Sequence, residues 1–226
     1  SITHGGAAGG EYFYDGIIDS SGDYVAVGHS TATTVNGSTI IAKFNSSGVE
    51  QWSKYLDDSA DVSGGFSIIE DSSGDYVVAG YGGATTNIDI MLSKFNSSGV
   101  EQWTQKLLNA TTSEYAYEVM EVSTGDYIVV AQSYIDGADY DATIVKFNSS
   151  GVEQWTKAYG GTGADRYGGL ILDSDDNIIA IGNDDSNADI SADTEILITR
   201  FDNDGNMTNC STECTDITTT EVDRTI

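Results

Sequence analysis

The sequence predicts an all-β fold made of four copies of one four-stranded unit, and three observations lead to this prediction. The ten-residue string KFNSSGVEQW occurs three times without change, at 43–52, 94–103 and 146–155. A second stretch, DSSGDYVAVG at 19–28, returns in related form with the same period of 51 or 52 residues. No segment keeps an apolar period of 3.6 residues, so essentially no helix is expected. A fixed period of this length indicates a repeat architecture.

The second repeat shows how one unit divides into strands. A short apolar run at 66–69 forms the first strand and ends at a turn where Gly74 supplies a positive φ. The second strand, 76–79, is β-branched and aromatic, which is typical of a strand buried on both faces. The third strand covers 89–95. The fourth, 100–107, alternates and is the most polar, as expected of an outer strand with one wet face.

Four strands per unit at this spacing predict a β-propeller of four four-stranded blades. The blades are expected at about 7–56, 57–107, 108–159 and 160–206, followed by a tail at 207–226. Two β-sandwiches of two repeats each are the rival architecture. The absence of a linker-like stretch between Trp103 and Tyr115 argues against that division.

The two ends of the repeat region predict how the fourth blade is completed. Segment 1–6 resembles the fourth-strand ending at 156–161, and the last repeat loses its Val-Glu-Gln-Trp strand after Gly205. Strand 1–4 is therefore expected to pair onto the strand that ends at Phe201. Pairing within the chain closes a ring and removes an open edge. Pairing with a neighbouring subunit builds a filament instead.

Composition limits the classes of partner. Nine Lys and Arg residues against 36 Asp and Glu residues give a net charge of −27, which repels nucleic acid and anionic membranes. Such a surface suits salty or extracellular water, and the alternative is a surface that collects divalent cations. No apolar run approaches the roughly 20 residues that cross a bilayer. No signal peptide is visible, and the start at Ser1 is expected to reflect processing or trimming. Cys210 and Cys214 favour a local or intermolecular disulfide over a metal site.

The repeat pattern resembles that of a known family. It reads GG-x-G-x-D-x-x-G, then D-S-x-G-D-Y-V-x-x-G, then D-x-x-x-x-K-F-x-x-x-G-x-x-x-W, and the fullest match lies at 146–182 with Trp155, Asp165 and Asp173. This is similar to the SBBP-type β-propeller repeats of large secreted proteins, with a blade layout like that of NHL repeats. The resemblance covers about 1–205. It implies a propeller that serves as a surface or interaction module, and it implies no activity.

Catalysis has weak support in the sequence. His4 and His29 lack a nucleophile elbow such as G-x-S-x-G, so a triad is not expected. Acidic residues recur just before the first strand of three blades, at Glu11, Glu114 and Asp165, and Asp61 is displaced from this position by two residues. Paired carboxylates can act on glycosides. Near-identical repeats argue instead for a structural role of these residues, so a glycoside-acting enzyme stays an alternative and the chain is expected not to be an enzyme.

Two further features have a structural and a functional interpretation. The string Asp202-Asn203-Asp204-Gly205-Asn206 resembles half of a calcium loop, with Asp202, Asp204 and Asn206 as ligands, but it also fits an acidic version of the repeated hairpin turn. No other cofactor is expected. The once-per-blade Trp52, Trp103 and Trp155 favour packing between blades, with sugar-stacking platforms as the alternative.

N-glycosylation sequons are frequent. They are Asn36, Asn45, Asn96, Asn109, Asn148, Asn206 and Asn209. The copies at Asn45, Asn96 and Asn148 are also good hairpin turns. The sequence therefore predicts a secreted, acidic, glycosylated and non-enzymatic module at a cell surface or in an extracellular assembly, which associates with itself or forms a filament. A glycan-binding, lectin-like propeller is the main alternative.

Overall fold

The computed structural model describes residues 10–31, 37–56, 62–107, 113–134, 139–160, 163–185, 195–207 and 222–223. Several predicted features lie outside these residues. They are strand 1–4, His4, Asn36, Asp61, Asn109, Asn209, Cys210 and Cys214. The described part of the chain is all-β and contains four antiparallel sheets and no helix.

The first two sheets each contain four strands in sequence order, joined by tight hairpins. The first sheet consists of β1 Glu11–Ile18, β2 Tyr24–Ser30, β3 Ser38–Phe44 and β4 Glu50–Leu56. The second consists of β5 Val62–Glu70, β6 Tyr76–Ala84, β7 Asn87–Phe95 and β8 Glu101–Leu107. The four strands predicted for the second repeat therefore each match an observed strand.

The third and fourth sheets depart from this plan at their outer edges. The third sheet consists of β9 Glu114–Glu121, β10 Tyr127–Tyr134, β11 Tyr140–Phe147 and β12 Glu153–Tyr159. A short β16, Val222–Asp223, pairs with the outer edge of β12, so part of the C-terminal tail extends this sheet. The fourth sheet consists of β13 Arg166–Leu172, β14 Ile178–Asp184 and β15 Glu195–Phe201. Among the described residues it has three strands, with one isolated bridge from Phe201 to Met207.

The chain divides into two compact units, Ser1–Val119 and Met120–Ile226, and the division falls inside β9. The first unit contains the first and second sheets, and the second contains β10–β16. Within each unit one sheet packs face to face on the next, and an apolar cluster fills the space between them.

The repeated turns explain why the strands begin and end where they do. In the turn between β1 and β2, Asp19 accepts hydrogen bonds from the N–H groups of Ser21 and Asp23, and Gly22 has a φ of 83°. In the turn between β3 and β4, Asn45 accepts the corresponding hydrogen bonds from the N–H groups of Ser47 and Val49. A short polar side chain that bonds the backbone two and four residues later fixes a tight hairpin.

Strand burial follows the predicted pattern. The second strand β6 is buried on both faces from Tyr76 to Gly80, whereas the outer strand β8 is exposed or half-buried until its last residue, Leu107. The first strands of three sheets, β1, β5 and β13, each contain a bulge, at Tyr14, Phe66 and Gly168. A bulge turns one side chain out of the regular alternation of the strand.

Candidate functional site: sheet junctions and uncovered sheet faces

A polar triad joins the first sheet to the second. The Tyr76 hydroxyl, on β6, donates a hydrogen bond of 2.7 Å to Asp19 Oδ2. The same oxygen lies 2.7 Å from Lys43 Nζ, and Lys43 also donates to the Tyr76 oxygen at 3.1 Å. All three groups therefore satisfy one another inside the junction.

Electrostatics holds this triad in one charge state. Burial alone would raise the pKa of Asp19, but the hydrogen bonds from Lys43, Ser21 and Tyr76 outweigh it and hold that pKa well below its usual value. For Lys43, burial alone would lower the pKa, and the bond to Asp19 instead raises it. Burial, and then the bond to Asp19, raises the pKa of Tyr76 to about 12. The ionised Asp–Lys pair and the neutral tyrosine persist through the neutral pH range.

Apolar contacts cover the rest of this junction. The first sheet presents Val25, Val27 and Ile41, all of which are at most 1% exposed. The second sheet covers them with residues of β5, β6 and β7: Ile68, Tyr76, Val78, Met91 and Phe95. Burial of side chains of this size contributes roughly 1.5–3 kcal/mol each.

Two of the three repeated tryptophans lie on a glycine of the following sheet. Trp52 packs over Gly99, where an added Cβ would lie 2.9 Å from the indole ring. Trp155 packs over Gly205 in the same way, with a corresponding distance of 3.0 Å. Both glycines have φ near +75 to +79°. The hairpin turn therefore fits under the indole because its last residue is glycine.

The junction between the third and fourth sheets uses the same positions with different chemistry. Val122 stands where the first sheet has Asp19, and Ile178 stands where the second has Tyr76. Both are buried in one apolar cluster with Tyr167, Leu197 and neighbouring residues. Lys146 lies 3.2 Å from Asp126 and donates to the Asn203 carbonyl at 3.2 Å. Val122 and Ile178, both apolar, therefore stand together at the two positions that Asp19 and Tyr76 occupy in the first junction.

The outer face of the fourth sheet is apolar and uncovered. Ile171, Ile181 and Ile198 are 48%, 37% and 52% exposed. At its margin Arg200 donates two hydrogen bonds to Asp173, at 2.6 and 2.9 Å. These bonds, followed by those from the Asn177 N–H and side chain, hold the pKa of Asp173 well below its usual value. This face presents isoleucines beside an ion pair.

The outer face of the first sheet is aromatic and also exposed. Tyr24 is 40% exposed and Phe13 is 38% exposed. Tyr24 occupies the repeat position of Tyr76, which is 1% exposed, and Phe13 occupies that of Tyr167, which is 0% exposed. The side chains that are buried in the described junctions are therefore accessible on this sheet.

Aromatic rings from β1, β5, β6 and β9 also contact one another within the first unit. The bulge residues Tyr14 and Phe66 contact edge to face at 5.3 Å, and Phe66 stacks on Tyr117 at 6.0 Å. Tyr81 lies 5.2 Å from Phe66 and 5.7 Å from Tyr115. We call these five residues the aromatic stripe. Tyr14 is exposed and the other four are half-buried, so parts of the rings reach solvent.

Three of the acidic residues considered for catalysis are described, and they are buried or half-buried. Glu114 and Asp165 are fully buried, and Asp165 accepts a hydrogen bond of 2.8 Å from the Asp185 N–H. Glu11 is half-buried and accepts a bond from the Tyr55 hydroxyl at 2.9 Å. His29 contacts the Ser63 carbonyl at 3.0 Å through Nδ1. Glu11 and Asp165 therefore each accept a hydrogen bond from within their own unit.

A cleft of about 350 Å³ lies in the second unit. Its lining is Gln132, Ala164, Arg166, Asn183 and Asp185. Arg166 donates to the Asn183 side chain at 2.7 Å, and the Asn183 amide donates to the Ala164 carbonyl at 3.3 Å. The polar lining is therefore largely bonded to itself.

The calcium candidates form a hairpin turn. Asp202 Oδ1 accepts bonds from the N–H groups of Asp204 and Asn206, and Asp202 Oδ2 accepts from the Asn206 side chain. This is the arrangement that Asn45 makes in the first repeat. Among the described residues, no group of three or more His, Cys, Asp or Glu side chains is placed to hold a metal ion.

The described sequons lie in turns. Asn45, Asn96 and Asn148 are half-buried and use the side-chain oxygen within the turn, and Asn206 is exposed. In the first three, the flanking serines are exposed. None of the elements in the described part of the chain is a helix long and apolar enough to cross a bilayer.

Comparison with known proteins gives a fold likeness only. No family model and no curated protein matches the chain. A protein of unknown function from Dyadobacter fermentans DSM 18053 is similar with a TM-score of 0.54 and 12% identity, over 93% of this chain and 63% of that one. An exo-1,5-α-L-arabinanase from a bovine ruminal metagenomic library is similar with a TM-score of 0.47 and 9% identity, over 85% and 75%. The first likeness concerns the fold alone, and the second is too low to carry an argument.

Sequence reasoning missed the triad and both uncovered faces. A signal for the triad was present, because the lysine of KFNSSGVEQW and the aspartate and tyrosine of DSSGDY recur together. The joint change to Val122 and Ile178 strengthens that signal. No comparable signal existed for the faces, because the same residue types are buried in one sheet and exposed in another.

Proposed function

We propose that this chain is a non-enzymatic structural module of the β-propeller type that associates with copies of itself. One observation carries the proposal. The fourth sheet keeps an apolar face at positions that are buried in the other described junctions, and that face is exposed. A soluble domain rarely leaves a contiguous apolar surface open unless a partner covers it.

The propeller-type architecture is supported by the repeat and by local packing. Strands β1–β15 form four sheets, each drawn from one repeat of 51 or 52 residues, and the tail adds β16 to the third sheet. In each unit one sheet packs on the next through equivalent positions. The resemblance of the repeats to SBBP-type blades supports the same proposal.

An extracellular or cell-surface location completes the proposal. A charge of −27 keeps such a module soluble at high ionic strength, where screening weakens repulsion between copies. The sequon turns at Asn45, Asn96 and Asn148 carry exposed serines, so a modifying enzyme would find them at the surface. An intact mass above 23.9 kDa, reduced to that value by glycosidase, is expected for material from a glycosylating host.

Self-association is tested by sedimentation velocity of the purified chain over a wide range of concentration. The sedimentation coefficient should rise with concentration, and it should rise further in added salt because charge repulsion is screened. Electron microscopy of the same samples should show chains or rings of units. A constant monomeric coefficient at every concentration and salt level would contradict the proposal.

A second candidate function is glycan binding, and the aromatic stripe favours it. Partly exposed rings in a row offer stacking faces, and bulges at Tyr14 and Phe66 direct those side chains out of the strand alternation. A glycan array would test this function, with Tyr14→Ala as the binding variant because Tyr14 is the exposed member of the stripe. Tyr12→Ala, an equally exposed tyrosine outside the stripe, is the control. Signal lost with both variants, or with neither, would exclude the stripe as a sugar site.

A further inference from the structure

The cleft in the second unit opens between the third sheet and the fourth. Gln132 lines it from β10 of the third sheet, and Arg166 and Asn183 line it from β13 and β14 of the fourth. Ala164 and Asp185 complete the lining just outside these strands. Its volume of about 350 Å³ lies within the range of roughly 300–1,000 Å³ that is typical of small-molecule sites. All five residues belong to the second unit, so the cleft is a property of that unit alone.

The corresponding place in the first unit is filled by two rings. His29 occupies the repeat position of Gln132, and Tyr81 occupies that of Asn183. The two rings stack with their centroids 6.4 Å apart, and the Tyr81 hydroxyl lies 3.3 Å from His29 Nδ1. The junction between the first and second sheets therefore contains an aromatic pair where the junction between the third and fourth contains amide side chains.

A glycine makes room for the Tyr81 ring in the first unit. Gly64 lies under that ring, and an added Cβ at this position would be 2.6 Å from it. The second unit has Arg166 at the position of Gly64 and no aromatic residue among those that line the cleft. The cleft therefore arises from a joint change at three repeat positions, from a ring pair over a glycine to polar side chains around an open space.

Hydrogen bonds fix the polar lining in place. Arg166 Nε donates to the Asn183 side-chain oxygen at 2.7 Å, and the Asn183 amide donates to the Ala164 carbonyl at 3.3 Å. The Asp185 N–H donates to Asp165 at 2.8 Å, and Asp165 is only 1% exposed. The guanidinium group and the backbone that carries the Asp185 carboxylate are therefore both positioned before a ligand arrives. Groups ordered in advance cost less entropy when a ligand binds.

The cleft brings two opposite charges together. Arg166 and Asp185 both line it, and the exposed Asp185 carboxylate is not paired with another described residue. A ligand with only negative charge would meet Asp185 and the field of a chain with a net charge of −27. A ligand with only positive charge would meet Arg166. A ligand that carries both charges complements the two side chains.

We infer that this cleft binds a small zwitterion of the amino acid type, with its carboxylate on Arg166 and its ammonium group on Asp185. Hydrogen bonds between such charged groups are roughly twice as strong as neutral ones. The lining offers no aromatic ring for stacking, so a neutral sugar matches it less well. The inference goes beyond the proposed self-association and does not depend on it, because every residue involved lies within one unit.

The ligand class is tested by saturation-transfer NMR of the full chain with the twenty standard amino acids as probes and glucose as the neutral comparison. At least one amino acid should bind. Its analogue without the ammonium group and its analogue without the carboxylate, which are propionate and ethylamine in the case of alanine, should each bind about tenfold more weakly or worse. Binding of no amino acid, equal binding of either analogue, or binding of glucose alone would contradict the inference.

Three single variants test the residues. Arg166→Gln and Asp185→Asn each remove one charge at an exposed residue, so folding should be retained and affinity should fall about tenfold. Asp175→Asn removes the same charge as Asp185→Asn at an exposed residue in the turn at the other end of β14, and it should bind like the wild type. Wild-type affinity of Arg166→Gln or Asp185→Asn, or an equal loss in all three variants, would show that this site is wrong.

An exchange between the two junctions gives an independent result. Combining Gln132→His, Arg166→Gly and Asn183→Tyr installs in the second unit the three residues that fill this place in the first. The combined variant should retain the β-sheet circular dichroism spectrum and lose amino acid binding, because the rings occupy the cleft. Retained binding by the folded combined variant would contradict the inference, and the single variants decide if the combined variant does not fold.

Discussion

The junction between the first and second sheets and the junction between the third and fourth share their geometry and differ in their chemistry. The first uses Asp19 and Tyr76 at positions where the second uses Val122 and Ile178. Both retain a tryptophan over a glycine turn, at Trp52 and at Trp155. The difference teaches that the aspartate and the tyrosine act as one unit, because a buried carboxylate without its partner is costly.

The comparison also explains what is unusual about the fourth sheet. It retains Asp173 at the position of Asp19, and Asp173 pairs with Arg200, whereas Asp19 pairs with Lys43 and also accepts the Tyr76 hydroxyl. Substitutions in the junction between the first and second sheets should therefore lower the free energy of unfolding more than matched substitutions at exposed positions.

Removing the charge of Asp19 should have the largest effect. Asp19→Asn leaves Lys43 buried beside Tyr76 with only the more distant Asp23 at 3.4 Å. We expect a loss of about 3 kcal/mol in the free energy of unfolding, measured with urea. Asp126→Asn, which removes a partly exposed partner of Lys146, should cost at most about 1 kcal/mol. Equal losses would show that the triad is no stronger than a surface pair.

The same variant gives a pH test with a definite sign. The pKa of Asp19 is lower in the folded chain than the value of about 3.9 typical of an unfolded aspartate. The carboxylate therefore contributes stability above pH 4, and this contribution is lost as the pH falls towards the folded pKa. The stability difference between wild type and Asp19→Asn should narrow below pH 4. A difference that stays constant into acid would contradict the role assigned to the ionised carboxylate.

Adding a methyl group under Trp52 should have the next largest effect. Gly99 and Gly74 both have φ near +80°, but an added Cβ at Gly99 meets the indole, whereas at Gly74 it meets nothing within 4 Å. Gly74→Ala should cost about 1 kcal/mol for its backbone conformation alone. Gly99→Ala should cost about 1–2 kcal/mol more because of the clash. If the two losses were equal, the indole would not be packed on this turn.

Removing the hydroxyl of Tyr76 should have the smallest effect. Tyr76→Phe loses the hydrogen bond to Asp19 and should cost about 1–2 kcal/mol. Tyr24→Phe changes the same repeat position where it is exposed, and in dilute protein it should cost less than about 0.5 kcal/mol. Thermal or urea unfolding of both variants under identical dilute conditions makes the comparison. A larger loss in the free energy of unfolding for Tyr24→Phe than for Tyr76→Phe would contradict the description of Tyr24 as exposed and Tyr76 as buried.

The sequence predicted the strands well because turns and strands are local. Asp19, Gly22 and their counterparts determine each hairpin through contacts a few residues apart, and β6 is apolar because both its faces are buried. The bulges at Tyr14 and Phe66 were not predicted. Their register depends on pairing with β2 and β6 rather than on the local residue pattern.

Whether a given residue of the repeat is buried or exposed does not follow from the sequence of that repeat alone. Tyr24 and Tyr76 lie in the same GDY context, yet Tyr24 is 40% exposed and Tyr76 is 1% exposed, because Tyr76 lies in the junction between the first and second sheets. Burial at these positions is decided by the neighbour. The sequence could therefore show which residues are equivalent, and only the structure could show which of them are open.

Protection of Tyr24 on self-association tests the central claim most directly. Tyrosine labelling read by mass spectrometry at low and high protein concentration would compare Tyr24 with Tyr12, a 57% exposed tyrosine whose repeat counterparts lie outside the junctions. If self-association covers the exposed aromatic face of the first sheet, labelling of Tyr24 should fall with concentration while labelling of Tyr12 stays constant. Equal labelling of Tyr24 at both concentrations in samples that have assembled would contradict the account.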